Sequence, residues 1–195
     1  MLHKKFENTK IILASGSPRR QEFFRNLDLD FEIRLKEIEE IFPETLQSLE
    51  ITDYLAELKA NAFEGELQEN ELLITSDTLV WLNGKALGKP KDYQDAFEML
   101  QTLSNETHEV ITSVCFKTKD KTETINDITK VTFGELSDDA ITYYLNHYKP
   151  FDKAGSYGIQ EWIGLIGITK IDGSYTNVVG LPTEKVYRYL LNTSF

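Results

Sequence analysis

The sequence predicts an α/β fold in which helices flank a mixed β-sheet that is bent into two lobes around a central cleft. Strand-like and helix-like segments alternate along the chain, as they do in α/β proteins. Of the 195 residues, 41% are apolar and 27% are charged, which is the composition of a globular protein. No linker, repeat or low-complexity tract interrupts this pattern, so we expect a single domain over residues 1–195.

The first elements predicted are a buried strand and a capped helix. An apolar run over residues 11–14 indicates the strand. Ser17 is a suitable N-cap for the helix, and Pro18 suits its first position. A half-exposed strand is expected at 31–35, where apolar and charged residues alternate, and an acidic connection follows at 37–44.

The remaining elements are predicted from periodicity, turn residues and caps. In chain order we expect a helix at 51–67, a strand at 72–75 that ends at Ser76-Asp77-Thr78, an extended segment at 79–82, a turn at Asn83-Gly84, a helix from the cap Asp92 to Leu103, two strands at 109–117 and 122–133 joined as a hairpin by residues 119–121, a helix from the cap Ser137 to His147, a glycine-punctuated extended region at 155–180, and a closing helix capped by Thr183.

The formal net charge of the chain is −11. A molecule with this charge repels polyanions, so we expect no binding to long nucleic acid. The one cysteine, Cys115, excludes an internal disulfide and is typical of a reducing compartment. No apolar run is long enough for a signal-peptide core or a membrane span, and we therefore expect a cytoplasmic protein without membrane contact.

Two arginines, Arg19 and Arg20, lie in the first turn of the helix predicted after Ser17. An exposed cation there is unfavourable by about 0.3–1 kcal/mol, because the helix dipole has its positive end at this point. A bound anion removes the conflict, since free main-chain N–H groups and both guanidinium groups can contact one phosphate. The alternative is an ordinary capped helix with two solvated arginines. The turn therefore indicates a phosphate site that other groups must support.

Three further segments carry groups suited to the same chemistry. Asp77 follows a predicted strand, where an aspartate can hold a divalent cation or accept a proton from water. Lys89 lies in a proline-stiffened loop and provides a point charge for phosphate. Gln160 follows a glycine-rich stretch and offers the donor and acceptor needed to read a base edge. Taken alone, the Asp77 and Lys89 segments are better explained as an Asx turn and a loop with solvated lysines, and the Gln160 segment can be a glycine-rich β region.

In combination and in this order, the segments resemble the motifs of the Maf family of nucleoside triphosphate pyrophosphatases. The matching motifs are Leu13-Ala-Ser-Gly-Ser-Pro-Arg-Arg20, Ser76-Asp-Thr78, Leu87-Gly-Lys-Pro90, Lys153-Ala-Gly-Ser-Tyr157 with Ile159-Gln160, and Gly173-Ser-Tyr175 with Asn177-Val-Val-Gly-Leu-Pro182. The resemblance covers nearly the whole chain. It implies an elongated mixed α/β fold of the Maf/Ham1 type, hydrolysis of a nucleoside triphosphate to the monophosphate and pyrophosphate, a divalent metal cation (Mg²⁺ or Mn²⁺) and a homodimer.

The resemblance also implies roles for individual positions. The proton acceptor of the family falls on Asp77, and the positions linked to substrate choice fall on Arg19, Thr78 and Gln160. Other polar positions of the family's site fall on Ser15, Arg20, Glu40, Lys59 and Lys89. With these roles, we expect the cations to hold the triphosphate and Glu40 and Asp77 to hold the metal.

Within the family, the stretch from Tyr157 to Gln160 resembles the branch that acts on dTTP and UTP rather than the branch that acts on 7-methyl-GTP. Two departures bear on the site: Ser76 stands where alanine is usual, and Glu161-Trp162 follows Gln160 where a glycine is common. A bulky Trp162 there would reshape the base pocket. The alternatives are a pyrophosphatase that acts on 7-methyl-GTP or on modified pyrimidine nucleotides, a non-catalytic nucleotide-binding regulator of cell division, or a structural domain with solvated arginines.

Overall fold

The computed structural model describes residues 2–193, in which helices flank a seven-stranded mixed sheet, as the sequence predicts. The strands are β1 (Lys10–Leu13), β2 (Phe31–Ile33), β3 (Glu71–Leu82), β4 (Lys85–Leu87), β5 (Thr107–Lys117), β6 (Thr122–Phe133) and β7 (Ile168–Asp172). The helices are α1 (Leu2–Lys5), α2 (Pro18–Asn26), α3 (Leu49–Asn61), α4 (Tyr93–Leu103), α5 (Asp138–Tyr148), α6 (Trp162–Gly167), α7 (Tyr175–Val179) and α8 (Thr183–Asn192), and one 3₁₀ turn covers Ala154–Ser156.

The strand order of the sheet is β2-β1-β3-β5-β6-β7, and β4 pairs with β3 outside this path. Strand β1 runs parallel to both β2 and β3, whereas β4 is antiparallel to β3 and β7 is antiparallel to β6. In the β1–β3 pair, Leu13 lies opposite Ile74, so β3 continues for eight residues beyond the last residue of β1. The residues of that extension have no register partner in β1.

The chain divides into two compact units. Unit 1 contains the described residues up to Asp77, Thr112–Asp127, and those from Gly180 onward. Unit 2 contains Thr78–Ile111 and Ile128–Val179. Strands β3, β5 and β6 contribute residues to both units. The single-domain assignment over residues 1–195 stays a prediction.

Unit 1 has an apolar cluster on each face of its part of the sheet. Leu72 and Ile74 of β3 pack with Phe24 of α2 and Leu190 of α8, whereas Leu73 packs in the other cluster, which contains residues of α3. The separation follows from the alternation of side chains along a strand. Helices therefore cover both faces of the sheet in this unit.

Unit 2 has its own apolar core. It is built from the second half of β3, from α4 and α5, and from β6 and α6; its members include Val80, Leu100, Phe133, Tyr144 and Ile163.

The described residues contain no helix that is both long enough and apolar enough to cross a bilayer.

Several local predictions are confirmed. The hydroxyl of Ser17 accepts from the Arg20 N–H at the start of α2, and Asp92 and Ser137 cap α4 and α5 in the same way. The turn at Asn83-Gly84 joins β3 to antiparallel β4, with both turn residues at positive φ. These features depend on residues that are adjacent in sequence, which is why they can be predicted from it.

Other predictions are wrong in extent. The helix expected at 51–67 is α3, which ends at Asn61 and is followed by turns and by Gly65 at positive φ. The region 155–180 is not extended throughout, because it contains α6 and α7 as well as β7. In addition, Pro182 rather than Thr183 occupies the N-cap of α8.

Candidate active site

The first turn of α2 contains both arginines, at the positive end of the helix dipole. Ser15 is buried, and its hydroxyl accepts from the Ser17 N–H at 3.3 Å, while its carbonyl accepts from Gln21 Nε2 at 3.1 Å. The first turn of α2 contains no acidic residue. Arg19 and Arg20 therefore lie in the first turn of a helix, as the sequence predicts.

Arg20 anchors this helix to the main chain of unit 1. Its Nε donates to the Gly180 carbonyl at 2.8 Å, and its Nη1 donates to the Ser76 carbonyl at 3.0 Å. Burial lowers the pKa of Arg20 from its ordinary value, while the negative charges of Asp77 and Glu40 oppose that shift. The guanidinium remains charged at neutral pH, since an arginine is not deprotonated in proteins.

Lys59 joins the two candidate carboxylates. Its Nζ lies 2.6 Å from Asp77 Oδ1 and 3.0 Å from Glu40 Oε1. The Asp77 side chain is only 10% exposed and that of Glu40 is 42% exposed. Lys59 therefore brings a buried carboxylate on β3 and an accessible one in the acidic connection to a single point.

The position of Asp77 follows from strand alternation. Thr75 Oγ1 donates to the Ala56 carbonyl at 2.6 Å, so this face of β3 packs against α3. Asp77, two residues further along, projects to the same face and meets Lys59, which lies three residues after Ala56 on α3. The prediction that Asp77 follows the end of a strand is wrong, because β3 continues to Leu82. Asp77 nevertheless lies beyond the end of the parallel neighbour β1.

These five residues form what we call the Lys59 cluster: Arg19, Arg20, Glu40, Lys59 and Asp77. Each is in unit 1, and the charges of Arg19, Glu40 and Asp77 all act on the pKa of Arg20. The cluster combines three cations with two carboxylates on a molecule of strongly negative net charge. Such an arrangement suits a small polyanion and a group that accepts a proton.

Three more predicted site residues, Thr78, Lys89 and Gln160, are in unit 2, whereas Ser15 is in unit 1. Thr78 follows Asp77 on β3, and Lys89 is exposed in the loop after β4. The Gly155 N–H donates to the Gly88 carbonyl at 3.0 Å, which joins the Lys89 loop to the 3₁₀ turn. Gly155 has φ +66, and a Cβ there would lie 2.9 Å from Val80 Cγ2, so only glycine fits.

Gln160 is exposed in unit 2, between the 3₁₀ turn and α6. The next residue, Glu161, is the N-cap of α6, and its carboxylate contacts Lys153 and Tyr144. Trp162 packs against the core of unit 2 and against the ring of Tyr143, with ring centroids 4.8 Å apart.

Comparison with known proteins decides the family, since residues 10–193 match the family model described as Maf-like protein. The chain belongs to the Maf family. A relative named dTTP/UTP pyrophosphatase from Flavobacterium psychrophilum is 84% identical over 195 residues and 100% of both chains. Another with this name, from Flavobacterium johnsoniae, is 66% identical over 190 residues, which are 97% of this chain and 98% of the relative. A solved structure of the Staphylococcus aureus Ham1 protein is similar over 67% of this chain and 73% of its own, with 16% identity and a TM-score of 0.45.

The carboxylates of this Maf protein fit one type of metal site. Among residues 2–193 there is no group of three or more His, Cys, Asp or Glu side chains that could hold a metal. Glu40 and Asp77 nevertheless converge on the same Lys59 ammonium, so both can reach one cation. Mg²⁺ is commonly held by one or two carboxylates together with substrate phosphates and water. The two residues present fit an ion that shares its ligands with a phosphate-bearing substrate.

Several groups around the predicted site residues of this Maf protein could not be predicted from its sequence. The carbonyls of Ser76 and Gly180 hold Arg20, and no side-chain pattern could indicate a main-chain acceptor. Tyr144 and His108 are buried and contact the segment that precedes Gln160. The Tyr144 hydroxyl accepts from the Gly158 N–H, and His108 Nε2 is hydrogen-bonded to the Tyr157 hydroxyl. Both lie on regular elements and read in the sequence as ordinary core residues.

Proposed function

We propose that this Maf protein hydrolyses dTTP and UTP to the nucleoside monophosphates and pyrophosphate. The observation that carries the proposal is the Lys59 cluster, in which a buried Asp77 and three cations occupy one place in unit 1. The names and high identity of the two Flavobacterium relatives support the choice of substrates.

The cations of the cluster suit the binding of a triphosphate. Arg19 and Arg20 lie at the start of α2, where main-chain N–H groups and the helix dipole also favour an anion. Because Arg20 donates two of its N–H groups to main-chain carbonyls, we assign it mainly to holding this helix start in place. Arg19 and Lys59 are then assigned to the phosphates.

In the proposed reaction, a water oxygen forms a bond to the α-phosphorus and the bond from the α-phosphorus to the bridging oxygen of the β-phosphate breaks. Asp77 accepts the proton of that water, and pyrophosphate leaves with the electron pair of the broken bond. A divalent cation held by Glu40 and Asp77 would, when bound, neutralise phosphate charge. Lysine and arginine charges stabilise the leaving pyrophosphate.

Three residues of unit 2 complete the proposal. We assign Lys89 to phosphate binding, and Thr78 and Gln160 to selection of the base, as the family positions imply. The side-chain amide of Gln160 is exposed and carries a donor and an acceptor, which are what the edge of a uracil or thymine base requires. A site that hydrogen-bonds a base edge rejects a base with the wrong pattern strongly, because its polar groups are then unpaired.

A panel of nucleoside triphosphates tests the proposal. UTP, dTTP, CTP, dATP, GTP and 7-methyl-GTP are incubated with the protein and Mg²⁺ or Mn²⁺, and both monophosphate and pyrophosphate are measured. We expect equal amounts of the two products, formed fastest from dTTP and UTP. Preferential turnover of 7-methyl-GTP, release of inorganic phosphate with a diphosphate, or calorimetric binding without any product would contradict the proposal.

We further propose that the protein is a cytoplasmic homodimer. Cys115 is a free, buried thiol, which agrees with a reducing compartment. Light scattering coupled to size-exclusion chromatography measures the mass directly. A single species of 22.4 kDa would contradict the dimer.

A further inference from the structure

Glu161 directly follows Gln160, and its carboxylate is in a nearly buried network. Its Oε1 lies 3.2 Å from Lys153 Nζ, and its Oε2 accepts from the hydroxyl of Tyr144. The side chain of Glu161 is 19% exposed and that of Lys153 is 10% exposed. The second carboxylate near this lysine, that of Asp152, is 60% exposed and therefore in contact with water. Glu161 is thus the more buried counter-charge of Lys153.

The same tyrosine also holds the main chain before Gln160. The Gly158 N–H donates to the Tyr144 hydroxyl oxygen at 3.0 Å, while that hydroxyl donates to Glu161. Burial, followed by the hydrogen bond to Glu161, raises the pKa of Tyr144 above its ordinary value, so the hydroxyl keeps its proton and remains a donor. Tyr144 therefore links the residue two positions before Gln160 to the residue after it.

The turn between these two residues is closed by its own main chain. The Glu161 N–H donates to the Gly158 carbonyl at 3.0 Å. The Glu161 side chain also lies directly against Gly158, because a Cβ added to this glycine would be 2.8 Å from Glu161 Cδ. A larger residue at 158 would displace the carboxylate. Residues 158–161 therefore form a turn whose two ends are in contact, and Gln160 lies within this turn.

The start of α6 holds the other side of the turn. A Cβ added to Gly164 would lie 2.0 Å from the Ile159 carbonyl oxygen, so the helix packs directly on the main chain that precedes Gln160. The Gly164 N–H donates to the Glu161 carbonyl at 3.0 Å. The main chain on both sides of Gln160 is therefore held by contacts, while the Gln160 side chain is exposed.

We propose that Glu161, held by Tyr144 and Lys153, is a positioning residue that orients Gln160 and thereby sharpens base selection. The inference rests on the proposed function, which assigns the base edge to Gln160. Two hydrogen bonds to a base form together only if the amide is correctly placed, so a loosened turn weakens the pair for the cognate base. A non-cognate base gains little from the amide and loses little when the turn loosens.

The experiment compares Tyr144→Phe and Glu161→Gln with the wild-type protein. Tyr144→Phe removes only the hydroxyl that links Gly158 to Glu161, and Glu161→Gln removes the charge that pairs with Lys153. For each protein, kcat and KM are measured with UTP and CTP, and thermal unfolding is recorded. Tyr143→Phe is the matched control for the tyrosine, since Tyr143 is its exposed neighbour on α5. Glu184→Gln is the control for the carboxylate, because Glu184 forms an exposed ion pair with Arg188 on α8.

We expect the preference for UTP over CTP, taken as the ratio of their kcat/KM values, to fall about tenfold in each variant, mainly through a higher KM for UTP. Both controls should keep the wild-type preference. Because the two substitutions break one network, the double variant should lose no more selectivity than the single variant with the larger loss.

Two results would overturn the inference. One is a wild-type preference in both active variants. The other is an equal loss of kcat/KM for UTP and CTP together with a lower melting temperature, which would indicate a purely structural role. If Glu161→Gln does not fold, Tyr144→Phe decides alone, since it retains the ring packing. Failure of the wild-type protein to convert UTP would instead refute the proposed function, so the two failures are distinguishable.

Discussion

At the scale of single residues, Lys59 is the centre of the proposed active site. Its ammonium lies within 3.0 Å of an oxygen of Asp77 and of Glu40. Removing one member of a buried ion pair leaves the other charge uncompensated, whereas an isosteric amide retains a hydrogen bond. The roles of these residues in folding and in chemistry can therefore be separated by conservative substitutions.

Asp77→Asn should reduce kcat by about 10²–10⁴-fold with dTTP, since an amide cannot accept the proton of the attacking water. The side-chain oxygen can still accept from Lys59 and Glu40 still supplies a counter-charge, so the variant should remain folded, with a lower melting temperature at most. Release of pyrophosphate measures the rate. Asp120→Asn, in the exposed turn between β5 and β6, is the matched control and should be fully active. Activity of Asp77→Asn near that of the control would refute the assignment of the proton acceptor.

His108 predicts a pH dependence of stability. It is buried, its Nε2 is 2.7 Å from the Tyr157 hydroxyl, and burial lowers its pKa from 6.5 to about 4. Between these values the unfolded chain binds a proton that the folded protein does not. The free energy of unfolding should therefore fall as the pH falls from 6.5 towards 4, by roughly 3 kcal/mol at most from this residue.

Urea unfolding at pH 7 and at pH 5 measures this effect. His108→Gln should reduce the difference between the two pH values, because glutamine does not titrate. His147→Gln is the control, since His147 is exposed on α5 and should leave the difference unchanged. An undiminished pH dependence in His108→Gln would show that other groups cause it.

At the scale of elements, Arg20 connects three parts of unit 1: helix α2, strand β3 through Ser76, and the segment before α8 through Gly180. The planar guanidinium reaches two carbonyls in different directions from one side chain. The single ammonium of a lysine has no matching fork geometry. Arg20 thus ties the helix start that carries Arg19 to the strand that carries Asp77.

Arg20→Lys should lower the free energy of unfolding by about 1–3 kcal/mol, because at least one buried carbonyl loses its charged donor. Chemical denaturation measures the change. Arg25→Lys, at the exposed end of the same helix, should cost under about 0.5 kcal/mol. Equal effects of the two substitutions would mean that the hydrogen bonds of Arg20 contribute nothing to stability.

At the scale of the whole molecule, a net charge of −11 coexists with the local cations of the Lys59 cluster. Long nucleic acid presents its charges over a large area and is repelled by the overall field. A single triphosphate needs only the local cluster. The protein should therefore bind UTP and not a long duplex.

Fluorescence anisotropy with a labelled 30-base-pair duplex checks this prediction at about 150 mM salt, the ionic strength of a cell. We expect no saturable increase in anisotropy at micromolar protein. Competition by UTP for any weak signal at lower salt would locate that signal at the cluster. Tight, salt-resistant binding of the duplex would contradict the prediction.

Local features of the fold were predictable because they depend on neighbouring residues. The caps at Ser17, Asp92 and Ser137 and the turn at Asn83-Gly84 follow from side chains that bond to their own main chain. The end of α3 and the helices α6 and α7 were not predictable in this way. In α6, for example, two glycines occur among six residues, and Gly164 is needed for a close contact with Ile159 rather than for an extended strand.

By itself, the sequence determined the α/β class, the capped helices, the family motifs and the identity of the charged residues available for chemistry. The tertiary structure decided which of them meet. It paired Lys59 with both Glu40 and Asp77, directed Arg20 to two carbonyls, and enclosed Glu161 between Tyr144 and Lys153. The physical reason is that caps and turns use bonds between adjacent residues, whereas ion pairs and buried contacts join segments far apart in the chain, and their partners depend on sheet register and helix packing.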